Sequence, residues 1–85
     1  MKRIYRYDLP KINQALLVPE GAEFLQAGEQ NGDVVVWALV DATATSVNRN
    51  VAVYGTGHEV PDNPGVYLNT VFVGSYVYHV FVDGP

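Results

Sequence analysis

Eighty-five residues with a net charge of −4, no cysteine and 12% aromatic content describe one small domain, residues 1–85, with no disulfide framework and no thiolate metal site. A chain this short buries only roughly 60% of its unfolded surface, so assembly is the staple left to it and a homo-oligomer is expected. The longest apolar run, Val34–Val40, falls far short of the roughly 20 residues a membrane helix needs, and the acidity argues against general nucleic-acid binding.

The first strand is read at Arg3–Leu9, where Tyr5, Tyr7 and Leu9 alternate with Ile4, Arg6 and Asp8 before Pro10 stops the run. This opening, MKRIYRYDLP, is charged with no apolar segment behind it, so it does not read as a signal peptide and the chain is expected to stay where it is made. The charge is unevenly placed. Residues 1–11 set Lys2, Arg3, Arg6 and Lys11 against Asp8 alone, while residues 12–85 set Arg49 alone against eight carboxylates.

Between Pro10 and Pro19 the sequence has too little length for a stable helix, and Ala15–Val18 is read as a short strand. Two β-rich runs then flank Asn31-Gly32, a pair that accepts the positive φ angles of a type I′ hairpin. The second run is apolar on both faces, which places it mid-structure with Trp37 as a core anchor. Ala42–Asn50 is small and polar and is read as a loop, followed by a short strand at Val51–Gly55. Val66–Val73 and Tyr76–Val82 close the chain as a hairpin across Gly74-Ser75. The expected fold is all-β, a small antiparallel sandwich or partly open barrel of about seven short strands.

The segment Tyr54-Gly-Thr-Gly-His-Glu-Val-Pro61 gathers groups that could do chemistry. It is not a dinucleotide loop, because Val60 stands where the third glycine belongs and Pro61 follows at once, with no helix to face a pyrophosphate. His58, Glu59 and the distant His79 fall short of a metal-ligand set, and no nucleophile has a base in a telling context, so no metal, cofactor or catalytic residue is expected. Gly55 and Gly57 suit a corner. His79 alternates with Val77 and Phe81 and reads as a packed, hydrogen-bonded histidine. Six tyrosines on predicted strands are more than so small a core absorbs, and exposed tyrosines suit interfaces or stack on bases. The sharpest site that can be drawn holds a phosphate on Arg49 and the Thr56-Gly57-His58 backbone, with a base stacked on Tyr54; Arg6, which is expected to face solvent or a subunit partner, is the other arginine available to a ligand.

Trp37-Ala-Leu-Val-Asp41, followed by Gly55-Thr-Gly-His58 with Val60-Pro61, resembles the signatures of a family of small proteins encoded by phages and prophages. The opening Met1-Lys2, Ile4 and Arg6-Tyr7 and the closing His79-Val80-Phe81 are similar to that family's ends. The family resembled has no assigned activity, so it implies no site residues. It implies a non-enzymatic phage accessory protein in the host bacterial cytoplasm. The expected role is anti-defence, as an oligomer that sequesters a cyclic nucleotide or other nucleotide-derived immune signal. The alternatives are a protein–protein inhibitor of a host defence protein and an interaction protein of the virion or replication machinery.

Overall fold

In the computed structural model, which describes residues 1–84, the chain forms seven strands: β1 (Lys2–Asp8), β2 (Asn13–Pro19), β3 (Glu23–Gln30), β4 (Asp33–Asp41), β5 (Ser46–Gly55), β6 (Val66–Val73) and β7 (Tyr76–Val82). They pair antiparallel in two sheets, β1-β4-β3 and β2-β5-β7-β6, as a small sandwich with no helix among the described residues. Asn31 and Gly32 take φ of 54° and 86°, both positive as a type I′ turn requires, and hold β3 against β4.

Alternation along the strands divides inside from outside. Val36 of β4 faces inward with Ala27 against Val51, Val53, Val80 and Val82 of the other sheet, while Ala38 and Val40 pack with Val18 and Ala22. Burying each such valine stabilises the fold by about 1.5–3 kcal/mol relative to exposure. Trp37 is not part of this core. It lies on the outer face of its sheet, half-buried, with its ring flat against Gly28 of β3, where an added Cβ would sit 2.6 Å from Trp37 Cζ3. Sequence parity leaves the two apolar faces of β4 equivalent, and Val35 on the Trp37 side is as fully buried as the inward valines.

The polar stretch read as a loop supplies the first half of β5 instead. Ser46, Asn48 and Asn50 point to solvent while Val47, Arg49 and Val51 point inward, so a strand with one wet face looked like a loop. Each of two strands carries a bulge: the register of β3 on β4 shifts between Phe24 and Gln26, and that of β6 on β7 between Tyr67 and Asn69. The second bulge turns Asn69 toward β3, where its carboxamide accepts from Ala27 N–H at 2.7 Å and donates to Ala27 C=O at 2.8 Å. One side chain thus does the work of a ladder rung and closes the sandwich along the β3–β6 side. On the opposite side β1 has six of its seven residues exposed, and Tyr7 alone of them packs on the core.

Candidate functional site

β5 and β6 both run antiparallel to β7, so they are parallel to each other, and the chain between them must travel back along the sheet. Residues 56–65 form that strap. It begins with a tight turn in which His58 N–H donates to Gly55 C=O at 3.0 Å and Gly57 takes φ 87°, the positive value a type II turn needs at its third position. The His58 ring packs on the bare Cα of Gly55. The strap ends where Asn63, Pro64 and Gly65 lie beside Ala52, Phe81 and Asp83. On the same outer face Ala52 and Tyr54 are both buried, the latter 6% exposed with its ring edge-on to Phe81.

Beside the strap, the outer face of β6 and β7 carries a chain of hydrogen bonds. Thr56 Oγ1 meets His79 Nε2 at 2.8 Å, His79 Nδ1 meets Thr70 Oγ1 at 3.0 Å, and Thr70 Oγ1 meets the Tyr67 hydroxyl at 2.5 Å. Hydroxyls rotate to donate or accept, so both imidazole nitrogens are satisfied in either tautomer. Tyr54 and Tyr67 pack edge-on against Phe81 from either side, with centroids 5.8 and 5.5 Å away. Phe72 stands at the other end of the same face, opposite Val77 and 68% exposed, and Tyr67 is 53% exposed. The result is an apolar, aromatic surface organised around a fully bonded histidine.

The residues singled out from the sequence do not converge. Thr56, Gly57 and His58 share the corner, which opens on a depression of about 360 Å³ walled by Tyr76, Val77 and Tyr78. Tyr54 is close by in sequence, but its ring is covered and offers no face to a base. Arg49 lies seven positions down β5 from Thr56, roughly 23 Å of extended chain. It faces between the sheets, where Nε bonds Asp83 Oδ1 at 2.5 Å, Nη2 donates to Asp83 C=O at 3.1 Å, and the guanidinium lies 5.0 Å from the centre of the Phe24 ring. Arg6 is on the outer face of the other sheet, bonded to Gln30 across β4. No lysine or arginine lines the corner depression.

The sequence points at the corner and, through its six tyrosines, at Tyr67 as one of several interface candidates, but it misses Thr70 and Phe72 and does not place Tyr67 with them. Simple alternation assigns Tyr67 and Phe72 to opposite faces, and only the extra residue at the β6 bulge brings them to one. Among the described residues no cluster of three His, Asp or Glu side chains could hold a metal, and no helix is long and apolar enough to cross a membrane. Two further groups titrate away from their usual values. Burial, with Tyr5 beside it, pushes the Tyr7 phenol up, and hydrogen bonds from the Thr43 hydroxyl and backbone hold the Asp41 carboxyl down.

The chain belongs to the family described as Domain of unknown function (DUF7352), which it matches over residues 1–85. No curated protein and no solved structure matches it significantly.

Proposed function

We propose that this protein is a non-enzymatic binding protein that acts by covering a protein surface, using the outer face of β6 and β7. The observation that carries the reading is the exposure of Phe72 and Tyr67 on a face whose polar groups already bond one another. Such a face can be desolvated by a partner without stranding a donor or acceptor, and exposed aromatics are the residues that anchor interfaces. The setting, a phage accessory protein directed at a host defence protein in a bacterial cytoplasm, comes from the sequence resemblance.

Sequestration of a nucleotide-derived signal draws less support, because Arg49 and Arg6 are engaged elsewhere and the corner depression has no cation to hold a phosphate. Immobilised protein should retain a discrete partner from bacterial lysate, and Phe72→Ala should lose it while folding normally. A panel of cyclic nucleotides incubated with the protein and recovered after boiling should come back unbound and unconverted. Conversion of any member would contradict the non-enzymatic reading, and tight retention of one would replace a protein partner with a nucleotide.

A further inference from the structure

β1 is exposed along its length except where Tyr7 packs on the core, and its outer edge is unpaired. Leu9 N–H donates to Val34 C=O at 3.0 Å, and continuing that register makes Tyr7, Tyr5 and Arg3 the residues bonded to β4. The N–H and C=O groups of Lys2, Ile4, Arg6 and Asp8 therefore point away from the sheet as a row of open donors and acceptors. We infer that a second copy of this chain occupies that edge, with the two β1 strands antiparallel about a two-fold axis at Tyr5.

The charges on the strand select this register. In a two-fold antiparallel pair, side chains directly opposite share a face, so the axis passes through a residue. An axis at Ile4 sets Lys2 against the partner's Arg6, and an axis at Arg6 sets that arginine against the partner's Arg6. The axis at Tyr5 sets Lys2 against the partner's Asp8, Arg3 against the partner's Tyr7, Ile4 against the partner's Arg6, and the two Tyr5 rings together. It is the register of the three that makes an opposite-charge pair and no like-charge pair. Arg6 reaches over β4 to Gln30 with its Nε 3.8 Å from Asp8, so it does not obstruct the incoming strand and leaves the exposed Asp8 carboxylate open to the partner's Lys2. Basic residues that keep an edge from pairing indiscriminately here admit one partner in one alignment. The pairing makes one continuous sheet, β3-β4-β1 running into β1-β4-β3 of the second copy. Because β3 adjoins β6 on the side away from β1, the two aromatic faces stand at opposite ends of the dimer.

Light scattering of the full chain over a dilution series tests this. The expected mass is twice 9.3 kDa, with a dimer that weakens as salt is raised. Ile4→Pro removes an N–H that points outward, so it should yield a folded monomer, with the β4 ladder intact by circular dichroism. Asp8→Lys should also give a monomer, and adding Lys2→Asp to it should restore the dimer by reversing the pair. A monomer at every concentration overturns the inference. So does a dimer that survives Ile4→Pro, or one lost in Asp8→Lys that the double variant fails to recover.

Discussion

The Asn69 carboxamide takes both backbone groups of Ala27, one residue of β6 replacing a strand-to-strand rung between two sheets. Ala27 is 1% exposed, so its N–H and C=O have no water to turn to if the side chain is lost. Asn69→Ala should therefore cost roughly 2–3 kcal/mol, the penalty of stranding buried backbone groups, read as a lower denaturant midpoint. Asn69→Asp keeps the acceptor for Ala27 N–H and sets a charge against Ala27 C=O. It should be destabilised at neutral pH and partly recover in acid, where a protonated carboxyl can donate. Equal stability of all three proteins would remove the clamp from the account.

Gly65 sits at the end of the strap with φ 104°, and a Cβ there would collide with the Val82 carbonyl. Gly32 also has positive φ, but open space surrounds it. Gly32→Ala should cost only the conformational penalty, about 1–2 kcal/mol, whereas Gly65→Ala should cost clearly more because it also displaces the end of the strap from Val82. Thermal melts rank the two. The reverse ranking would mean that the strap does not rest on the sheet as described.

Arg49 bonds Asp83 through side chain and backbone and lies against Phe24. Arg49→Ala should thus destabilise by roughly 1.5–3 kcal/mol, the range of hydrogen bonds to charged groups, and Arg49→Lys should recover little because an ammonium lacks the fork. Chemical denaturation decides it. A neutral effect would return Arg49 to the pool of free cations and revive a phosphate-binding role.

Asp41 accepts from Thr43 N–H at 3.0 Å and from Thr43 Oγ1 at 2.7 Å, which holds its pKa below the ordinary aspartate value. A folded pKa below the unfolded one means that these bonds add stability above the unfolded value, near about 3.9, and that the gain disappears as pH falls through the folded value. Carboxyl NMR titration should find Asp41 below the ordinary aspartate value, and Thr43→Val should move it back up.

The strands that turn chemistry announces were legible in the sequence. Asn31-Gly32 and Gly74-Ser75 join the pairs expected of them, and the all-β sandwich follows from strand count and spacing. Parity was not legible where a bulge resets it. Leu25 and Leu68 each insert one residue, so Ala27 and Asn69 meet, and Tyr67 and Phe72 share a face, against simple alternation. Arg49 was misplaced for a different reason: Ser46, Asn48 and Asn50 are polar because they face water, not because the chain loops there. Proximity in sequence then suggested that Arg49 and the Gly55–His58 corner could share a ligand, although an extended strand separates them.

The Tyr67–Phe72 face is the surface proposed to bind a protein. Phe72 and Leu17 are equally exposed apolar residues, at 68% and 65%, on opposite edges of the same sheet. A photo-crosslinking amino acid placed at either position, and irradiated in bacterial lysate, separates specific contact from general stickiness. The account predicts a discrete adduct from position 72 that Tyr67→Ala abolishes, and none from position 17. No adduct from position 72, or the same adducts from both, would contradict it.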